Sequence, residues 1–262
     1  MAVNWIDVNT LSFNSLLLLE RVQLSWLPGW LDEAELAIAL QGNPAVAWYM
    51  GHKCPEISGW VDGVRARTAG VTPIEAGRLR QAELHILNQV NDLLVYALDP
   101  SLYDAQPFLA WDSDELRSLT DWGGKTVIDV GSGTGRLALV AAEGAQTVFA
   151  VEPVANLRCY IKEKARQRGL RNVFAVDGLI TDLPFPDGFA DVTMGGHVFG
   201  DHPAEEFAEM VRVTKPGGMV ILCPGSSMHE GASHDYLVAQ GFAWADFIEP
   251  PNDKVRKYWK TV

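Results

Sequence analysis

The stretch KTVIDVGSGTGR, residues 125–136, constrains the fold of this chain more than any other part of the sequence. Residues 125–131 have the apolar pattern of a short strand, and glycines follow at 131, 133 and 135. Glycine adopts tight left-handed turns at little cost, so the spacing predicts a turn from this strand directly into a helix over about 134–143. Strand–turn–helix units of this kind build parallel sheets.

Strand and helix patterns alternate through residues 113–262. Further apolar strand patterns follow at 146–153, 172–178, 190–196 and 217–225, with helix patterns at 154–168 and 203–214. The last two apolar segments, 241–250 and 254–262, are joined by a PND turn and predict an antiparallel hairpin. We therefore predict an α/β fold with a doubly wound, mostly parallel sheet that ends in a terminal antiparallel hairpin.

Residues 1–112 have a different character, which is helical and rich in aromatic side chains. Residues 31–40 form a short amphipathic helix pattern, and residues 72–98, which Thr72 can cap, form the clearest one. Six of the nine tryptophans lie at or before Trp111. The sequence thus predicts an N-terminal helical cap or substrate domain at 1–112, followed by the α/β domain at 113–262.

The composition excludes several classes of partner. The net charge is −12, so the chain lacks the positive field with which nucleic-acid-binding proteins contact phosphates. The longest aliphatic run, Leu16–Leu19, is far too short to span a membrane. Three scattered cysteines and the absence of a signal-peptide pattern indicate reduced thiols. We expect a cytoplasmic protein with neither nucleic-acid nor membrane partners.

Acidic residues follow the predicted strands next to the glycine loop. Glu152 ends the second strand, and Asp177 ends the third. The carboxyl ends of parallel strands meet at one edge of the sheet, where a carboxylate suits the two hydroxyls of a ribose. Asp177 is placed to accept a hydrogen bond from an adenine amino group. A nicotinamide-binding protein has similar features, but the G-x-G-x-G spacing here differs from the usual G-x-G-x-x-G.

Together these motifs resemble the class I S-adenosylmethionine-dependent methyltransferases. The matching runs are VIDVGSGTGR, VFAVEP, FAVDG, LPFPDGFADVTMGGHVFGD and VRVTKPGGMVILCPG, in the order typical of that family. The resemblance covers about residues 111–262. It implies a seven-stranded sheet whose seventh strand is inserted antiparallel, and S-adenosylmethionine as cofactor with S-adenosylhomocysteine as product.

The resemblance also implies a set of cofactor-binding residues. Asp129 and the glycines would line the methionine and ribose part, Glu152 would hold the ribose hydroxyls, and the residues after the third strand would hold the adenine. The full set is Asp129, Gly131, Ser132, Gly133, Gly135, Glu152, Pro153, Asp177, Gly178, Leu179 and His197.

His197 and Asp201, in the run TMGGHVFGDH after the fourth strand, are the candidate catalytic residues. An imidazole suits proton abstraction at neutral pH, and Asp201 is a candidate to orient it. The alternatives are that His197 packs or only contacts the cofactor, and that Asp201 and His202 flank the next helix. Because glycines and Pro203 place these residues in a loop, we expect no metal site.

Trp48, His52 and Trp111 are the candidate substrate-binding residues, with Trp111 placed to close over the cofactor. The alternative is that Trp48, with Tyr49 and Trp60, belongs to the core of the helical domain.

The sequence therefore predicts a methyltransferase, a monomer or homodimer, that acts on a small-molecule acceptor by in-line displacement. The alternatives are a non-catalytic cofactor-binding regulator or partner subunit, a protein or RNA methyltransferase, and a nicotinamide-dependent oxidoreductase.

Overall fold

The chain folds into two compact units, Met1–Tyr103 and Asp104–Val262. The computed structural model describes residues 5–68, 70, 74–227 and 231–262. The predicted division after residue 112 falls inside the second unit. The reason is that Trp111 is buried in the core of that unit, so the segment before the first strand packs with the sheet domain.

The first unit is helical, as predicted. Three short 3₁₀ turns accompany its helices, at Val8–Thr10, Phe13–Leu18 and Pro55–Ile57. The helices are α1 Arg21–Ser25, α2 Glu33–Gly42, α3 Pro44–Lys53, α4 Ser58–Ala66, α5 Ala76–Gln89, α6 Asn91–Leu98 and α7 Pro100–Asp104, which ends at the junction. Its core is aliphatic and includes Leu16, Leu24, Leu36 and Ile86.

The long helix predicted at 72–98 is two helices, α5 and α6. The backbone leaves helical values at Val90, where φ is −99° and ψ is 17°. The buried side chain of Asn91 then bonds the backbone of Trp5 and Ile6, more than 80 residues away along the chain. Local periodicity cannot reveal such a distant partner. Thr72, the predicted cap, lies outside the described residues.

The second unit contains the predicted seven-stranded sheet. Its order is β3-β2-β1-β4-β5-β7-β6. The strands are β1 Thr126–Val130, β2 Thr147–Val151, β3 Val173–Val176, β4 Ala190–Gly195, β5 Thr214–Ser227, β6 Ala243–Glu249 and β7 Asp253–Thr261. Strands β1 to β5 are parallel, and β7 lies antiparallel between β5 and β6. The predicted fold class is therefore confirmed.

Helices cover both faces of this sheet. They are α8 Asp114–Arg117, α9 Arg136–Ala141, α10 Ala155–Gln167, α11 Pro203–Val213 and α12 Gly231–Ala239. In β1, Val127 belongs to one buried cluster, whereas Ile128 and Val130 belong to another. Side chains alternate between the faces of a strand, so the apolar residues of β1 contribute to a core on each side of the sheet.

The ends of β1 and β4 lie where the strand order of the sheet reverses direction. From β1 the chain continues to β2 and β3 on one side, and then returns to add β4 on the other side of β1. Ligands of open α/β sheets bind beyond the carboxyl ends of the strands where the order reverses in this way. The glycine loop after β1 and the His197 loop after β4 both lie at this point.

Across the described ranges, none of the helices combines the length and apolar character needed to cross a membrane.

Candidate functional site

The glycine loop has the left-handed backbone that its sequence predicts. Gly131, Gly133 and Gly135 have φ values of 61°, 54° and 83°. A Cβ atom on Gly135 would lie 3.2 Å from Ile161 Cγ1 on α10. Glycine is needed here both for the backbone angles and for close packing of α9 against α10.

Val198 fills the space that two glycines leave open. A Cβ atom on Gly131 would lie 2.5 Å from Val198 Cγ2, and one on Gly195 would lie 2.6 Å from Val198 Cγ1. Both distances are far below van der Waals contact. The Val198 side chain therefore joins the glycine loop to the end of β4 and to the loop that carries His197.

Asp129 lies beneath the glycine loop and is almost completely buried. Its Oδ2 accepts a hydrogen bond from the Ala138 N–H in the first turn of α9 at 3.0 Å. Its main-chain carbonyl accepts one from Ser132 Oγ at 2.9 Å. Burial raises the pKa of Asp129 to about 7. The hydrogen bond from Ala138 holds the first turn of α9 against the Asp129 carboxylate, so this carboxylate fixes the helix that follows the loop.

Glu152, at the end of β2, is bonded to the glycine loop. Its Oε2 accepts a hydrogen bond from the Gly133 N–H at 2.9 Å, and its Oε1 accepts one from the Val154 N–H at 2.8 Å. The residue is buried, and burial raises its pKa to about 7 despite these two donors. Pro153 between these groups is half-buried. The carboxylate thus sits at the edge of the sheet where the sequence predicts a ribose.

The end of β3 presents an exposed carboxylate. The Asp177 side chain is 73% exposed, and its Oδ1 accepts a hydrogen bond from Arg158 at 3.1 Å. Gly178 has no space for a side chain, because a Cβ would lie 2.8 Å from Val151 Cγ1. Leu179 is exposed and exchanges backbone hydrogen bonds with Asp182. These residues form an open surface suited to a flat ring.

Arg158 is a site residue that the sequence pattern does not single out. Its guanidinium donates to the Glu152 carbonyl at 2.7 Å as well as to the Asp177 carboxylate. The sequence signal that could have indicated Arg158 is its position in the first turn of α10, six residues after Glu152. The signal is weak because the basic run over residues 158–171 has the pattern of a solvated helix face.

His197 has a strained backbone and a buried carboxylate partner. Its φ is 56°, and its N–H donates to the Pro224 carbonyl at 2.9 Å. Its Nε2 lies 2.7 Å from Glu249 Oε1, and its ring meets the Phe108 ring edge-on with 5.8 Å between centroids. The predicted pairing with Asp201 is thus corrected, since the carboxylate comes from the end of β6.

Asp201 and His202 are exposed and precede α11. His202 is the N-cap residue by its backbone, but its side chain makes no capping bond. Glu206 supplies the bonds instead, because its buried carboxylate accepts from the Gly200 N–H at 2.7 Å and the His202 N–H at 2.8 Å. The carboxylate that closes this loop therefore lies within α11 and not before it.

Trp111 is a core residue of the second unit. Its ring packs edge-on against Phe247, and the Arg136 guanidinium lies 4.5 Å from the ring centroid. Arg136 also donates to the carbonyls of Leu109 and Trp111 at 2.8 and 2.5 Å. These bonds attach the segment before α8 to the first residue of α9, next to the glycine loop.

Trp48 and His52 form an exposed pair on α3 of the first unit. Trp48 is 60% exposed, and the two rings stack with centroids 4.1 Å apart. Trp48 is therefore not a core residue, whereas Tyr49 and Trp60 are partly buried against the helical core. The substrate role of Trp48 and His52 stays a prediction.

In the part of the chain that the structure describes, no group of three or more His, Cys, Asp or Glu side chains is arranged to hold a metal ion.

The middle of the second unit is similar to a known protein family. Residues 128–222, from β1 into β5, match the family model described as a methyltransferase domain. This part of the second unit is therefore similar to methyltransferase domains. The family match covers the glycine loop, Glu152, Asp177 and His197, but not Glu249.

Curated relatives resemble the same part of the chain. A demethylmenaquinone methyltransferase of Geobacillus kaustophilus is 36% identical over 121 residues, which are 43% of this chain and 50% of that protein. An uncharacterized methyltransferase of Mycobacterium sp. strain JLS is 40% identical over 125 residues, 47% of each chain. The chain thus spans about half the length of the curated relatives it matches.

A solved structure supports the fold of the second unit. A SAM-dependent methyltransferase from Aquifex aeolicus superposes with a TM-score of 0.52 and 21% identity, covering 63% of this chain and all of that one. At this identity the likeness concerns the fold alone.

Proposed function

We propose that this chain transfers a methyl group from S-adenosylmethionine to a small-molecule acceptor by in-line displacement. The observation that carries the proposal is Glu152. Its carboxylate lies at the carboxyl end of β2, 2.9 Å from the Gly133 N–H of the glycine loop, beside the point where the strand order reverses. The match of residues 128–222 to a methyltransferase domain supports the same conclusion.

The residues present fit this cofactor. Glu152 would accept hydrogen bonds from the ribose hydroxyls, and Asp177 with Gly178 and Leu179 would hold the adenine. Within the glycine loop, the buried hydroxyl of Thr134 has no hydrogen-bond partner among the described residues and is available to a bound ligand. When bound, the cofactor supplies a methyl group already activated on a sulfonium.

The protein's own residues then have two tasks, positioning and proton removal. Fixed loops hold the reactants in line, which accounts for most of the acceleration available to a displacement with an activated donor. His197, on the loop after β4, presents an imidazole that is 39% exposed and is a candidate to take a proton from the acceptor.

The acceptor we propose is a small aromatic molecule. Relatives named as demethylmenaquinone methyltransferases, 36% and 32% identical over 121 residues, support a quinone-like ring. The acidic composition of the chain disfavours polyanionic acceptors. We further propose a cytoplasmic location.

Calorimetric titration tests the cofactor. We expect S-adenosylmethionine and S-adenosylhomocysteine to bind and NAD not to bind. Glu152→Gln should weaken S-adenosylhomocysteine binding about 10- to 100-fold through loss of charge-assisted hydrogen bonds, whereas the exposed Glu205→Gln should not change it. Binding of NAD alone would overturn the proposal.

Methyl transfer itself is measured with S-adenosylmethionine labelled on the methyl carbon. We expect label in the organic extract with demethylmenaquinol or with simpler naphthols as acceptor. Cofactor binding without transfer to any acceptor of this panel would instead favour a regulator or partner subunit.

A further inference from the structure

His197 occupies a backbone position that favours glycine. It is the one residue other than glycine with a positive φ in the described ranges. A left-handed backbone costs a side-chain-bearing residue about 1–3 kcal/mol when the surroundings hold it there. Since glycine avoids this cost, and glycines stand at 195 and 196, the imidazole at 197 has a role that offsets the strain.

Glu249 fixes the direction of that imidazole. It is 5% exposed, and His197 Nε2 at 2.7 Å is the hydrogen-bond partner of its carboxylate within the described residues. A buried carboxylate is costly unless it is paired. Its own position is set by the β6–β7 hairpin, where Glu249 pairs with Asp253 in register.

The pair determines which ring nitrogen can act as a base. In a neutral imidazole one nitrogen carries the proton and the other accepts. A carboxylate 2.7 Å from Nε2 holds the proton on Nε2, so Nδ1 is left with a free electron pair.

We propose that Glu249 is a positioning residue that holds His197 with its proton on Nε2, so that Nδ1 removes the proton of a hydroxyl-bearing acceptor. The inference rests on the proposed function. The acceptor hydroxyl gives its proton to Nδ1, and the oxygen electron pair forms the bond to the methyl carbon, while the pair of the broken carbon–sulfur bond stays on sulfur. The exposed side of the imidazole returns the proton to solvent. The substrate class is therefore a hydroxyl compound that is protonated when it binds.

The first test is spectroscopic and needs no acceptor. Long-range ¹H–¹⁵N NMR of the full-length protein at high pH reports which ring nitrogen of His197 is protonated, and His197→Gln assigns the signal. We expect the Nε2–H form in the wild type and a mixture of both forms in Glu249→Leu. A wild-type imidazole protonated on Nδ1 would overturn the proposal.

The second test separates positioning from structural support. 1-Naphthol is protonated in neutral buffer, whereas its more acidic analogue 4-nitro-1-naphthol is ionised and needs no base. For 1-naphthol we expect Glu249→Gln to lower kcat about 10- to 100-fold with KM within about threefold, and His197→Gln to lower it at least as much. For 4-nitro-1-naphthol, Glu249→Gln should keep most of the wild-type rate.

Three controls separate the positioning role of Glu249 from the proposed function itself. S-adenosylhomocysteine binding should be unchanged in Glu249→Gln, which shows that the variant folds. His197→Asn, which tolerates a left-handed backbone, should behave like His197→Gln with 1-naphthol. Equal losses with both naphthols would assign Glu249 a structural role and overturn the inference. Failure of the wild type to bind S-adenosylhomocysteine would instead contradict the proposed function.

Discussion

Substitution of Gly131 by alanine should disrupt the site by a mechanism that can be divided into two parts. The first part is backbone strain, because φ is 61° at this position, which costs a non-glycine residue about 1–2 kcal/mol. The second part is overlap, because the new Cβ would lie 2.5 Å from Val198 Cγ2. Overpacking of this kind costs about 1–3 kcal/mol, so the total loss of stability should be about 2–5 kcal/mol.

Two further variants separate these parts. Gly169, after α10, has a φ of 71°, but a Cβ atom there would meet nothing within 4 Å, so Gly169→Ala should show the strain alone. Val198→Ala removes the methyl groups with which the Gly131→Ala side chain would overlap. In a double-mutant cycle, Gly131→Ala and Val198→Ala should therefore couple favourably by about 1–3 kcal/mol.

Guanidinium unfolding followed by circular dichroism gives the stabilities, and calorimetry with S-adenosylhomocysteine gives the affinities. Because Val198 adjoins His197, Gly131→Ala should also weaken ligand binding more than Gly169→Ala does. Equal destabilisation by the two glycine substitutions, or a double mutant no better than the additive sum, would refute the role assigned to Val198.

Three other substitutions probe charge, surface and the segment before the sheet. The pKa of Glu152 is raised from 4.5 to about 7, so between these pH values the folded protein keeps a proton that the unfolded chain loses. The free energy of unfolding should therefore fall as pH rises from 4.5 to about 7. Glu152→Gln should make this fall smaller by on the order of 3 kcal/mol, as measured by urea unfolding at several pH values. Trp48→Ala, at an exposed position, should change the unfolding free energy by less than about 0.5 kcal/mol, as measured by urea unfolding. Lys164→Met removes the ammonium group that lies 2.6 Å from the Asp104 carboxylate, and it should lower the free energy of unfolding by about 3 kcal/mol, as measured by thermal unfolding. Lys162→Met, at an exposed position on the same helix, should lower it little.

The sheet domain can be predicted from the sequence because its signals are local. Each strand is a short apolar run next to a turn, and residues 125–136 fix the first strand, loop and helix together. The order of motifs then supplies the inserted seventh strand, which strand patterns alone do not reveal. A division at 112 misplaces Trp111, because a tryptophan before a strand has the same local pattern whether it closes one domain or begins the next.

The candidate site is less predictable because its key contacts join distant residues. Glu249 stands 52 residues after His197, and nothing in the sequence near either residue indicates the pair. Asp201 is merely the carboxylate nearest to His197 along the chain. Glu206 is hidden for a similar reason, since its carboxylate reaches back to Gly200 only after α11 has formed.

The insertion of β7 between β5 and β6 affects the order in which the strands of the sheet can pair during synthesis. During synthesis β6 emerges before the strand that connects it to the sheet, so it has no neighbour to pair with until β7 follows. Glu249 is the last residue of β6, so its bond to His197 waits for the same event. A nascent chain that has already closed its glycine loop would still lack the paired imidazole, and the contact between His197 and Glu249 would form only with β7.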